Sequence, residues 1–183
     1  EGNILIGTNE HGLAIFKGEQ FVSFFEEDGL LSSQVWSVIQ DKTGKFWFGT
    51  INGISIYNEN LPENSRFSDF YKLKGNRIKI IREDTKGRIW IAVESEGIFT
   101  YNSNTGSYTF EPKLNSYLSK LIVTDLATDN KGLVWAGTLD GLVSYDYDTR
   151  ESNYYTQTNG LAGNEGNGGI ARAQPRQARA VPG

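Results

Sequence analysis

Short runs in which apolar and polar residues alternate, each closed by Gly, Asn or Asp, fill most of this chain. The clearest set is Val35-Trp36-Ser37-Val38-Ile39-Gln40, then Phe46-Trp47-Phe48-Gly49, then Ile54-Ser55-Ile56-Tyr57, and a last apolar stretch from Phe67 to Leu73. Period-two alternation bounded by turn residues predicts β-strands. The first two runs meet at Asp41-Lys42-Thr43-Gly44, where Asp closes a tight turn through its side chain and Gly takes the positive φ the turn demands. No stretch of comparable length shows a 3.6-residue period, so essentially no helix is expected.

The set recurs. Trp47, Trp90 and Trp135 are separated by 43 and 45 residues, each preceded by Asp-x-x-Gly and followed about ten residues on by Tyr57, Tyr101 or Tyr145. A period of this size means stacked units, none of which buries its apolar face alone. The third unit reads Ile78 to Asp84, Ile89 to Ile91, Gly97 to Tyr101 and Ser107 to Phe110; the fourth reads Val123 to Asp129, Val134 to Thr138, Gly141 to Tyr145 and Ser152 to Tyr155. Four short strands per repeat is the content of one β-propeller blade. The expected fold is therefore all-β, a β-propeller fragment of about 3.5–4 four-stranded blades.

The blades divide the chain at 1–30, 31–74, 75–117 and 118–158, followed by a Gly-rich connector and tail at 159–183. The first blade is incomplete: Leu5 stands at the tryptophan position, and the strand that would precede Asn3 is missing. At the other end, Asn159-Gly160-Leu161 repeats the connector Asp28-Gly29-Leu30, but the register then puts Gly166 where Val35 stood and Gly169 where Val38 stood. Such a strand has little to pack. Residues 171–183 carry no aromatic residue and two prolines, which reads as a disordered or artificially appended tail. Propellers commonly close by sharing a strand between first and last blades, so an open arc is expected, with self-association or the remaining blades of a parent propeller covering its ends.

Composition narrows the function. A net charge of -4 and a pI near 5.1 give no attraction to nucleic acid or an anionic membrane. No apolar run is long enough to span a bilayer, so direct membrane insertion by this segment is not expected. There is no cysteine and one histidine, His11, which leaves a catalytic triad or a His/Cys metal site nothing to assemble from. No metal and no cofactor is called for. Asp41, Asp84 and Asp129 recur as a carboxylate set, but the glycine three residues after each marks a turn residue. Trp47, Trp90 and Trp135, with Tyr57, Tyr101 and Tyr145, read as packing between blades.

Ligand contacts are sought where the repeat stops repeating. The loops between second and third strands carry His11, Asn52, Glu94 and Asp140, and the innermost strands offer Trp36 and Lys79 at one aligned position and Asp125 at the next. Varied polarity at a fixed structural position suits a ligand-lined mouth, with Trp36 stacking on a sugar ring and Lys79 and Asp125 bonding hydroxyls.

The composite pattern, G-L-x-S-x-x-V-x-x-V-x-x-D-x-x-G-x-x-W-x-G-T-x-x-G-[LI]-x-x-Y, resembles the two-component regulator propeller repeat. It covers residues 1 to about 165, with departures: Leu5 for Trp in the first unit and Ala92-Val93 for Gly-Thr in the third. The resemblance implies the periplasmic sensor of a Bacteroidetes-type hybrid histidine kinase, with oligosaccharide as the ligand and the kinase elsewhere in the polypeptide. On that reading the segment itself is not an enzyme. A propeller scaffold for protein-protein assembly is the alternative, and a propeller lyase or glycosidase a third reading, since one fold hosts many functions.

Overall fold

The computed structural model describes residues 4–118, 122–163 and 170. Its strands form four antiparallel sheets in chain order. The first has β1 (Ile4–Gly7), β2 (Leu13–Lys17) and β3 (Gln20–Phe24). The second has β4 (Val35–Gln40), β5 (Phe46–Thr50), β6 (Gly53–Tyr57) and β7 (Phe67–Asp69). The third has β8 (Ile78–Glu83), β9 (Arg88–Val93), β10 (Gly97–Asn102) and β11 (Ser107–Phe110). The fourth has β12 (Val123–Thr128), β13 (Leu133–Thr138), β14 (Gly141–Asp146) and β15 (Glu151–Tyr155). In each sheet consecutive strands pair as neighbours. The result is an open, partial propeller of four blades.

Three apolar cores lie between successive sheets, because each strand sends alternate side chains to opposite faces. Leu13 and Ile15 of the first sheet meet Phe46, Phe48 and Tyr57 of the second. Trp47 and Ile54, from the opposite face of the second, meet Ile81, Ile89 and Ile91 of the third. Trp90 and Ile98 of the third meet Leu126, Val134 and Tyr145 of the fourth. Trp47 and Trp90 are 2% and 0% exposed. Trp135, which points away from the third sheet, is only half-buried and packs on Tyr155 at 5.8 Å between ring centroids. Tyr57 and Tyr145 are buried, whereas Tyr101 is half-buried against Trp47 and Phe70.

The aspartate of each turn also holds the tryptophan six residues on. Oδ1 of Asp41 accepts the backbone N–H groups of Thr43 and Lys45, while Oδ2 accepts the Trp47 indole N–H at 2.7 Å. Asp84 does the same for Lys86, Arg88 and Trp90, and Asp129 for Lys131, Leu133 and Trp135. One carboxylate thus closes the turn and satisfies a buried indole donor, which explains the fixed spacing of the two residues.

The glycine of Trp-x-Gly-Thr has a separate cause. A Cβ on Gly49 would lie 2.8 Å from Ile78 Cγ2 and 3.1 Å from the Ile78 carbonyl oxygen, and one on Gly7 would meet Val35 at 2.8 Å. The first strand of the next blade crosses directly over this position. The threonine ties the following loop: Thr8, Thr50 and Thr138 each donate through Oγ1 to the carbonyl of Gly12, Gly53 and Gly141 at 2.9 Å.

Two expectations need correction. A helix, α1 (Pro112–Leu118), lies between the third and fourth sheets. Its seven residues hold one apolar pair, Leu114 and Leu118, both buried, and so fall below the window in which a 3.6 period is detectable. Pro112 suits the first helical position, where its missing N–H costs nothing. Asn115 fixes the helix to the third sheet, accepting the Ile98 N–H at 2.7 Å and donating to the Ile98 carbonyl at 2.8 Å. The last strand of the second blade is also shorter than the span from Phe67 to Leu73. It stops at Asp69, and Tyr71–Leu73 form a 3-10 turn that buries Leu73. The expected glycine-rich strand and the tail at 171–183 fall outside the described residues, except Ile170.

Candidate functional site

The innermost strands β4, β8 and β12 share one irregularity. Pairing with the neighbouring strand slips between Val35 and Ser37, between Ile78 and Ile80, and between Val123 and Asp125. The residues left over are Trp36, Lys79 and Thr124. A β-bulge inserts one residue into a ladder and re-aims its side chain. Here it turns Trp36 and Lys79 out of the blade-to-blade core while the residues on either side of them stay in it. Val35 and Ser37 are 4% and 7% exposed, but Trp36 between them is 36% exposed. Lys79 is half-buried between Ile78 at 0% and Ile80 at 7%.

The three bulges converge. A cavity of about 450 Å³ is lined by Gly7 of the first sheet, Trp36 of the second, Lys79 and Ile80 of the third, and Thr124 of the fourth. All four sheets therefore contribute to one mouth, and its size falls within the range of about 300–1,000 Å³ that takes small molecules. Thr124 Oγ1 is buried without a hydrogen-bond partner. An aromatic face, an ammonium and an unsatisfied hydroxyl together suit a ligand with ring faces and hydroxyl groups.

The other expected residues are more dispersed. Asp125 is 9% exposed and its carboxylate is engaged: Oδ1 accepts Arg82 Nη2 at 2.9 Å and the Leu126 N–H at 2.8 Å, and Oδ2 accepts the Ile170 N–H at 2.7 Å. This copies, one junction along, the bond from the Ile81 N–H to Ser37 Oγ at 2.8 Å. Asp125 thus registers chain across the fourth sheet. The Ile170 side chain also covers Gly137, where a Cβ would lie 3.1 Å from Ile170 Cδ1.

His11, Asn52 and Asp140 are exposed on the loops of the first, second and fourth sheets. In each the backbone N–H bonds to the threonine that ties the loop. Asn52 also donates to the Leu31 carbonyl at 3.3 Å, and Asp140 accepts from the Tyr154 hydroxyl. Tyr154 is held above its ordinary pKa by burial and then by the adjacent Asp140 carboxylate.

Glu94 belongs to the third sheet's loop, where Ala92-Val93 replaces Gly-Thr. No threonine ties this loop, and Ser95 takes a φ of 64°. Side chains from the chain entering β8 brace it instead: Arg77 pairs with Glu94 at 3.2 Å and Asn76 Nδ2 donates to Glu96 at 2.6 Å. Lys79 approaches Glu94 at 3.9 Å, an ion pair beyond hydrogen-bonding distance. A second cavity, of about 630 Å³, opens here, with Lys79, Glu94, Glu96, Phe110 and Ile122 among its lining residues. Phe110, which the sequence reading did not single out, is the last apolar residue of β11, two positions before the helix.

The chain has known relatives. Residues 29–52 match the family described as two component regulator propeller. Over 159 residues it is 31% identical to histidine kinase P4 of Formosa agariphila, covering 78% of this chain and 11% of that protein. The extracellular domain of the hybrid two component system BT4673 from B. thetaiotaomicron matches 89% of this chain with a TM-score of 0.69 at 24% identity, over 22% of its own length. The corresponding domain of BT3049 from the same organism matches 89% with a TM-score of 0.70 at 24% identity, over 23% of its length. The chain thus spans a small part of each. The fold is that of a β-propeller segment, and residues 29–52 are similar to the two component regulator propeller family.

Proposed function

We propose that this chain is a non-catalytic, ligand-sensing part of the extracytoplasmic sensor of a hybrid two-component system, and that its ligand is an oligosaccharide. The observation that carries the reading is the convergence of three β-bulges on one mouth, where Trp36 and Lys79 stand clear of the blade-to-blade core and Thr124 Oγ1 is left without a hydrogen-bond partner. Similarity to a histidine kinase and to extracellular domains of hybrid systems supports placement outside the membrane, in the periplasm. The non-catalytic reading is supported by the fate of the recurring carboxylates: Asp41, Asp84 and Asp129 are each committed to a turn and an indole. Kinase activity would belong to the rest of a parent polypeptide. In that parent, Trp36→Ala should reduce the response to the inducing saccharide about two- to tenfold, the scale of one lost stacking contact. An unchanged dose-response curve would remove the mouth from the reading.

A second reading, assembly with other proteins or with further blades, is favoured by one observation. The outer face of the first sheet exposes Ile4 at 57%, Ile6 at 41% and Phe21 at 62%. Apolar exposure of this kind marks a contact surface. Self-association of the isolated chain tests it: a concentration-independent monomer mass would count against it.

A further inference from the structure

Two cavities adjoin at the third blade, and one side chain belongs to both. Lys79 lines the mouth, with Trp36 and Thr124, and also lines the larger cavity, with Glu94 and Phe110. On the facing strand, adjacent residues divide the same way: Val123 lines the larger cavity and Thr124 the mouth. The partition is thus the bulge of β8 facing the bulge of β12. The Lys79 side chain is 38% exposed and, among the described residues, pairs with Glu94 at 3.9 Å, which Arg77 already engages at 3.2 Å. A long side chain so loosely tethered can change rotamer at little cost. Each cavity also has its own exposed aromatic ring, Trp36 at 36% in the mouth and Phe110 at 43% in the larger cavity.

We propose that the two cavities are one bipartite site, taking a saccharide of at least two rings that stacks on Trp36 at one end and Phe110 at the other, with Lys79 donating to it at the junction. This rests on the ligand-sensing reading above and extends it from a mouth to a path. It also gives the sequence departure at Ala92-Val93 a role. Where the other blades close the loop with Gly-Thr, this one leaves an opening beside the mouth. Specificity for ligand length then lies in Phe110, a residue outside the mouth.

The test is calorimetric titration of the full chain with one- to six-ring series of α-1,4-glucose, β-1,4-glucose and α-1,4-galacturonate oligosaccharides. The variants are Trp36→Ala, Phe110→Ala and Lys79→Ala. Trp36 and Phe110 are both exposed, and circular dichroism is used to check that each variant remains folded. The expected result is at least a tenfold rise in affinity from one ring to the spanning length in one series. Phe110→Ala should remove that rise, Trp36→Ala should weaken every length, and Lys79→Ala should weaken the longer members most. If Phe110→Ala is silent at every length while Trp36→Ala weakens binding, the bipartite site is overturned and the mouth stands. If no member of any series binds, or both aromatic variants are silent, the ligand-sensing reading falls and this inference with it.

Discussion

Asp84 accepts the indole N–H of Trp90 at 3.0 Å while both residues are essentially buried. The same carboxylate takes Arg88 Nε at 2.6 Å and two backbone N–H groups. One short side chain therefore sets the turn, the tryptophan and a buried guanidinium of the third blade. Its counterpart Asp129 serves a half-buried Trp135 and no arginine.

That contrast predicts unequal costs. Asp84→Ala removes the buried partner of Arg88 Nε and leaves the guanidinium, in a residue 5% exposed, with Asp148 at 3.4 Å as its ion-pair partner, and should cost about 3 kcal/mol, the low end for a broken buried ion pair. Asp129→Ala should cost about 1–2 kcal/mol, the scale of a lost hydrogen bond. Urea denaturation of the two variants checks the ordering.

A pH dependence follows from the same residues. Burial pushes the Asp84 carboxyl up, but the hydrogen bonds from Trp90 and Arg88 outweigh it and hold the pKa below the ordinary value. Asp129 is likewise lowered, with burial opposing and bonds from Trp135, Leu133, Lys131 and Gly132 prevailing. A depressed carboxylate contributes stability in full above its unfolded pKa of about 3.9, and loses it as pH falls through the lower folded value. Stability should therefore decline below about pH 4, and Asp84→Asn should flatten that decline. An identical acid limb in the variant would place the acid sensitivity elsewhere.

The third and fourth blades are joined by another buried carboxylate. Glu111, 0% exposed, accepts the Thr100 hydroxyl at 2.7 Å, the Tyr145 hydroxyl at 2.8 Å and Arg150 Nη1 at 2.5 Å. Tyr145 is pushed up to about 12, first by burial, with the Glu111 carboxylate adding and Arg150 opposing. The raised value means its contribution is complete below pH 10 and is lost as pH rises towards 12. Glu111→Ala should cost about 3 kcal/mol or more and bring the tyrosine transition, followed by ultraviolet absorbance, closer to pH 10.

Gly49→Ala tests the close approach between blades. The added methyl meets both the side chain and the backbone of Ile78, so overpacking of about 1–3 kcal/mol is expected. Gly75→Ala has open space around its Cβ and only a left-handed φ of 87° to bear, so it should cost about 1–2 kcal/mol.

Much of this was legible in the sequence, for a physical reason. Strand alternation and Asp-x-x-Gly turns are local rules, and repetition at 43 and 45 residues multiplies a weak signal into a strong one. The mouth was legible in part. Trp36 and Lys79 stood out because the aligned position changes chemistry from blade to blade, and the bulge shows why that position is free to change. Asp125 is a different case. Nothing in its neighbourhood along the chain shows that Arg82, 43 residues away, and the Ile170 N–H engage its carboxylate. The helix after β11 was hidden by its brevity, and Phe110 by looking like one more strand residue.

The bulges are most directly tested through Trp36 itself. Of the four tryptophans, Trp47 and Trp90 are buried and Trp135 is half-buried, so Trp36 is the one whose ring meets solvent most openly. Titration with saccharide, followed by intrinsic fluorescence, should give a saturable change that Trp36→Phe abolishes, together with a weakened calorimetric isotherm. If Trp36→Phe binds the same saccharide with an unchanged isotherm, the mouth formed by the three bulges is not the ligand site.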